Sequence, residues 1–400
     1  MNNKIIIIIL VLSFKCVFSQ PPIKLIKAHL ALLHKDTMLA INLLEDTLKE
    51  NPNQPETIRI LANIYNKKKQ YSKSIEYYKN LLSFDKTVSY QIALSYALLN
   101  NPDSVIFWLK EYLKLENKIP ENKIRTQAEF LFLNKNKLWN DLWKQNWFND
   151  FEMRLGEIEY LYEKKEINEL IETIEKALTT YKQNQVLLFW RAKAYFEANN
   201  YKESLKSIEL LLKINQNHEE ALQLKTQIFE LQMKYKKLAE SYIQLYKVQP
   251  YNIYWIYLAT IQYNNSNLYK QALESIKYYL TYDTLFDRAY YQAGLAAKNL
   301  KQYKLAIEYF TKAININSGF SETFYERGCC YYEMNNLENA FNDLCMAMDL
   351  KAMQGKYFYQ RGLINFAMNK SIAACRDFER AKQLGFIKAE SYIQRYCVGK

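Results

Sequence analysis

The feature that most constrains this chain is a spacing. Gly294, Gly328 and Gly362 stand 34 residues apart, and so do Ala306, Ala340 and Ala374. The same interval separates Phe310, Leu344 and Phe378, and then Ala313, Ala347 and Ala381. A small residue recurs where two helices must touch, and a large apolar one recurs a helical turn further on. A fixed period of this length marks a helical array, in which each unit leaves an apolar face for its neighbour to cover. Such an array lengthens without one large core, so 400 residues do not require two or three globular domains.

The frame can be followed outward from there. Seven units starting at 151, 185, 219, 253, 287, 321 and 355 run to Lys388, and Tyr201, Tyr235, Tyr269 and Tyr303 share one register at the start of the second helix. Three more units precede them within 20–119. Ala28, Ala40 and Leu44 mark the first, over about 21–54. Ala62, Tyr65, Tyr71, Ser74, Tyr78 and Leu81 mark the second, 55–85. Ala93, Tyr96, Val105 and Leu109 mark the third, 86–119, which starts three residues early. Segment 120–150 breaks the frame. It lacks the small pairs, and Trp139, Trp143 and Trp147 at i, i+4 and i+8 predict a packed stripe on a helix, with a hinge or altered curvature as the functional alternative. Ile158 with Leu170, and Thr226 with Leu238, predict wider helix spacing in the earlier units. Residues 389–400 are expected to supply a capping helix and a tail. No stretch alternates with period two, and the 8 glycines and 7 prolines argue against tight-turned sheets, so the class is all-α.

The order aromatic, small, Tyr, Ala, aromatic, Ala, Pro resembles the tetratricopeptide repeat (TPR) over nearly all of 21–397, least over 120–150. The resemblance implies a right-handed superhelical solenoid of helix-turn-helix units and a role in binding. In such arrays the first helices line a curved trough at positions 2, 5, 9 and 12. Position 5 reads Phe189, Gln223, Tyr257, Tyr291, Tyr325 and Tyr359, and position 12 adds Phe196, Tyr332 and Phe366. The expected partner-binding residues are Phe189, Tyr257, Tyr291, Tyr325, Tyr332, Tyr359 and Phe366. Such side chains offer apolar area with a polar handle, which suits a peptide or a partner helix. A plainer reading stays open, because the repeat itself favours Tyr at these places. Arg59 and Asn63 imitate half of the carboxylate clamp of some cytosolic relatives, but Gln91 does not continue it, and the clamp is rejected. The ending Ala374-Cys375 through Tyr396-Cys397 looks like that of exported TPR proteins of Gram-negative bacteria, which implies a periplasmic or outer-membrane adaptor.

Residues 1–19 read as a signal peptide, with the apolar run Ile5 to Leu12 and a mature start at Gln20. Retention as an anchor is the alternative. Cys16 follows Ser-Phe-Lys, a poor lipidation box, so no lipid is expected. The remaining cysteines, Cys329, Cys330, Cys345, Cys375 and Cys397, all lie in the last units and the cap. Antiparallel helices pair positions whose numbers sum to a constant, which brings Cys375 within reach of Cys397 as a candidate disulfide. The alternative is that they are buried free thiols.

No catalytic constellation is present. The three histidines, His29, His34 and His218, have no metal-binding spacing, and no glycine-rich phosphate loop exists. No catalytic residue, metal, cofactor or small-molecule substrate is expected. The formal charge is +12, and basic turns at Lys67–Lys69, Lys164–Lys165, Lys234, Lys236, Lys237, Lys298 and Lys301 would form a stripe along one edge. Solvated turns explain this most simply; an acidic partner or an anionic membrane surface is the sharper reading, and nucleic acid is not expected for an exported chain. The leading reading is a non-enzymatic adaptor that binds a protein or peptide in its concave groove. The alternative is a structural scaffold of an envelope complex, using its convex or edge surfaces.

Overall fold

The computed structural model describes residues 21–116 and 118–397, so the expected signal peptide lies outside the described residues. Every regular element among the described residues is a helix. The helices Gln185–Glu197, Glu219–Leu231, Tyr254–Asn265, Asp287–Asn299, Ser321–Glu333 and Gly355–Ala367 each start on the 34-residue step or within one residue of it. Their following helices start at Tyr201, Tyr235, Tyr269, Tyr303, Leu337 and Ser371. The chain divides after Ile228 into two compact units. None of the described helices is long and apolar enough to cross a membrane.

What repeats most strictly is a turn that the composition conceals. In ten places a first helix ends on a residue in the left-handed region: Lys35, Lys69, Asn100, Lys165, Asn199, Met233, Asn267, Lys301, Asn335 and Asn369, with φ between 51° and 64°. The next residue donates its N–H back to the carbonyl five residues earlier, as from Asp36 to Ala31 (2.8 Å), Asn200 to Tyr195 (2.8 Å) and Lys370 to Asn365 (2.8 Å). This is a Schellman closure, which satisfies carbonyls left open at a helix end. Glycine is the usual residue there. Asn is the commonest substitute in this chain, because its short polar side chain tolerates the conformation.

The glycines are used instead where helices meet. A Cβ on Gly294 would stand 2.4 Å from Cε1 of Phe310, one on Gly328 2.5 Å from Cδ2 of Leu344, and one on Gly362 2.6 Å from Cε1 of Phe378. A glycine in the first helix thus makes room for a large side chain in the second. The last two pairs add a buried-edge ion pair at one repeat position. Arg327 donates Nε and Nη2 to the Asp343 carboxylate at 2.8 Å each, and Arg361 does the same to Asp377 at 3.0 and 2.7 Å. Pairs nearer the N-terminus trade volume differently: Ser74 Oγ donates to the Ala62 carbonyl (2.9 Å), and Ser204 Oγ to the Ala192 carbonyl (2.7 Å).

The segment 118–150 departs from the expected tryptophan helix. It folds as the short helices Glu121–Thr126 and Lys137–Leu142 with a 3-10 turn Ala128–Leu133 between them. Trp139 is buried in the second helix, Trp143 closes it, and Trp147 lies beyond it. The indole N–H of Trp147 donates to the Leu142 carbonyl at 2.8 Å, an acceptor left open where the helix stops. The rings still pack, with Trp139 edge-on to Trp143 at 5.4 Å and against Phe130 at 5.7 Å. Packing is therefore what these residues do, without a helical stripe. Lys118 closes the segment onto the helix Asp150–Lys164. Its ammonium donates to both Glu152 oxygens at 2.6 and 2.8 Å and to the Leu115 carbonyl at 2.9 Å, with side chains 4% and 1% exposed. Glu152 also completes a capping box with Asn149.

Candidate partner-binding face

In the first compact unit, one open cleft of about 290 Å³ lies on the first-helix face. It is walled by Phe189, Lys193 and Phe196 from one repeat and by Glu220, Gln223 and Gln227 from the next, with Tyr162 and Glu197 at its margin. Counted from 185 and 219, these wall residues occupy positions 2, 5, 9 and 12 of their helices. A helix turns once per 3.6 residues, so that set shares one face.

Lys193 is the unusual member. Its ammonium lies 4.1 Å from the ring centre of Trp190 and 4.3 Å from that of Tyr162, which meet edge to face at 5.4 Å. Cation–π contacts hold the charge, while burial lowers the Lys193 pKa from its ordinary value. Of the nearby acids, Glu197 accepts the Tyr162 hydroxyl at 3.0 Å, while Glu220 is exposed at the cleft wall beside His218, whose Nδ1 accepts the Ala221 N–H at 3.3 Å. Phe189, itself a wall of the cleft, rests against His218 with ring centres 5.2 Å apart. The cleft can therefore accept an anionic group beside an apolar one. Position 9 was the available sequence signal for Lys193, but a lysine among so many does not stand out until Trp190 and Tyr162 are seen beneath it.

The second unit carries the tyrosine file, and here each ring also fills a repeat junction. Tyr257 is only 5% exposed, clasped by Phe286 at 4.9 Å and Tyr279 at 5.7 Å, and burial pushes its pKa up to about 12. It offers a partner almost none of its surface, which corrects its place among the expected contacts. Tyr291 lies 5.0 Å from Phe320, and Tyr325 stacks on Tyr357 at 5.0 Å; both are half-buried, and desolvation raises both pKa values. Tyr359 touches Phe386 at 4.9 Å and Tyr392 at 5.7 Å, and burial raises its pKa to about 12. Tyr332 and Phe366 are half-buried near the same group, Phe366 at 4.7 Å from Tyr396.

Cys375 and Cys397 are joined as a disulfide with Cα atoms 5.6 Å apart. Cys329, Cys330 and Cys345 are free, and burial raises the Cys329 and Cys330 thiols to about 12, far from reactive. Arg59 is committed to Asp85 at 3.0 Å, and Asn63 accepts the Tyr78 hydroxyl at 2.7 Å, so neither is free for a clamp. Lys298 pairs with Glu326 and drops out of the expected basic stripe. No group of three or more His, Cys, Asp or Glu positioned for a metal occurs among the described residues.

Residues 60–88, 187–218 and 287–320 match the tetratricopeptide repeat family. These stretches are tetratricopeptide repeats, and the helix pairs above continue the same two-helix pattern around them. Among solved structures it is similar to MamA, at 21% identity over 41% of this chain and 96% of that one, with a TM-score of 0.38. YrrB, described as a TPR protein with an unusual peptide-binding site, matches at 17% identity over 54% and 93%, with a TM-score of 0.31. The C-terminal part of a TPR protein from Cytophaga hutchinsonii matches at 15% identity over 58% and 97%, with a TM-score of 0.43. None of these likenesses carries more than the repeat itself. No curated protein matches the sequence.

Proposed function

We propose that this chain is a non-enzymatic adaptor that takes an extended peptide or a helix of a protein partner along its first-helix face. The observation that carries the reading is the Lys193 cleft. An ammonium supported by two rings and making no salt bridge stands beside the apolar walls Phe189 and Phe196. Such a site matches a partner segment with an acidic residue next to an apolar one, and the positive net charge, +12 for the full sequence and 12 − 2 = +10 without Lys4 and Lys15, favours its approach. Within the second unit, taken by itself, the half-buried Tyr291, Tyr325, Tyr332 and Tyr359, with Phe366, offer apolar contact area of their own. The buried Tyr257 contributes only indirectly.

The test is Lys193→Glu combined with Gln227→Ala in the full chain. Partner affinity should fall at least about tenfold, the scale of one charged contact of ~1.5 kcal/mol. Helix content should be unchanged, because Lys193 is half-buried and Gln227 exposed. Undiminished capture by a folded double variant would sink the groove reading. We further infer that the protein works after export, on the strength of the apolar run Ile5 to Leu12. N-terminal sequencing of the purified protein should begin at Gln20, and a retained Met1 would contradict cleavage.

A further inference from the structure

The repeat supplies its own measure of what each position requires, and in the second unit the turn 231–237 departs from it. Nine of the ten left-handed turn positions hold Asn or Lys; the tenth holds Met233, at a φ of 51°. Methionine has no short polar side chain to ease that conformation, so the position stores strain. Two residues earlier stands Leu231, where the other six units from 151 onward hold Glu163, Glu197, Asn265, Asn299, Glu333 and Ala367. Neither apolar side chain serves the core. Leu231 is 58% exposed and Met233 70%, and Tyr235, between the lysines, is 38% exposed. Strain and exposed apolar area at one turn do nothing for folding, and together they mark a surface contact.

The charges around these residues say what kind of contact. Lys234, Lys236 and Lys237 are exposed in the same turn, and Lys270 and Lys304 are exposed at the place of Lys236 in the next two repeats. Glu230 and Glu240 flank the turn in sequence, and the lysines outnumber them. A projecting apolar side chain needs either a fitted pocket or a surface that yields to it. An anionic bilayer surface yields at headgroup depth, and its phosphates meet lysines whose long stems reach past the apolar residues.

We propose that the turn 231–237 is a contact site for an anionic lipid surface. Leu231, Met233 and Tyr235 enter the headgroup region, and Lys234, Lys236 and Lys237 pair with its phosphates. The contact is interfacial and shares no residue with the Lys193 cleft, so it stands or falls apart from the partner-binding face.

The probe is a vesicle of phosphatidylglycerol and phosphatidylcholine in equal parts, set against one of phosphatidylcholine alone and offered to the full chain. Oxidation by chloramine-T is read by mass spectrometry at Met233 and, as an internal reference, at Met353, which is 62% exposed. The anionic vesicle should slow oxidation of Met233 severalfold relative to Met353, and added salt should reverse that protection. The neutral vesicle should leave the ratio unchanged. Replacing the three lysines together (Lys234→Gln, Lys236→Gln and Lys237→Gln) should abolish the protection while helix content stays the same, because all three are exposed. Oxidation of Met233 unchanged by the anionic vesicle would overturn the lipid contact and turn the search to a protein that covers this turn. Protection that survives the triple variant, or that the neutral vesicle gives equally, would overturn the pairing of lysines with anionic headgroups.

Discussion

Two stretches of this protein bury aromatic residues by opposite means. Between Asp287 and Gln383, burial is set by repeat position: a glycine or alanine in one helix admits a Phe or Leu from the next, and the arrangement recurs every 34 residues. Between Lys118 and Asp150 no position repeats. Phe130, Trp139 and Trp143 cluster among short helices, and a buried Lys118–Glu152 pair ties the segment to the helix that follows. The first region tolerates few volumes but many surface residues. The second depends on particular partners, each irreplaceable by its neighbours.

That contrast can be broken most forcefully at Lys118. Replacing it by Ala strands a carboxylate that is 1% exposed, and should cost about 3–5 kcal/mol of stability in urea unfolding. A loss below about 1 kcal/mol would mean that the aromatic cluster alone holds the break. Gly294→Ala should cost about 1–3 kcal/mol, because the new methyl meets the Phe310 ring at 2.4 Å. Adding Phe310→Leu should recover part of that loss, and no recovery would place the strain elsewhere. The smallest effect is expected at Met233, which holds a φ of 51° with its side chain 70% exposed. Met233→Gly should stabilise the fold by about 0.5–1 kcal/mol, read as a shift in the thermal midpoint. A neutral or destabilising result would show that the turn is set by more than backbone preference.

The repeat frame was legible because volume is written directly into residue type: Gly294 and Phe310 cannot be exchanged without loss. The turns were not, since Asn and Lys at the left-handed position look like ordinary polar loop residues. Trp139, Trp143 and Trp147 misled by their spacing, which fits a helix although the chain leaves the helix at Leu142. The tyrosine file was visible in the sequence. That Tyr257 would be enclosed by Tyr279 and Phe286 was not, because the enclosing rings come from the second helix and the closing turn. Lys193 needed the structure for the same reason: Tyr162, beneath it, belongs to the preceding repeat.

The most direct test of the binding face is site-specific photocrosslinking in the full chain. A photoreactive residue at Gln227, inside the Lys193 cleft, is compared with one at Leu210, which is 38% exposed on a second helix. Partner adducts should form from position 227 and not from 210, and should disappear with Lys193→Glu. Adducts from 210 with none from 227 would contradict a partner seated on the first-helix face.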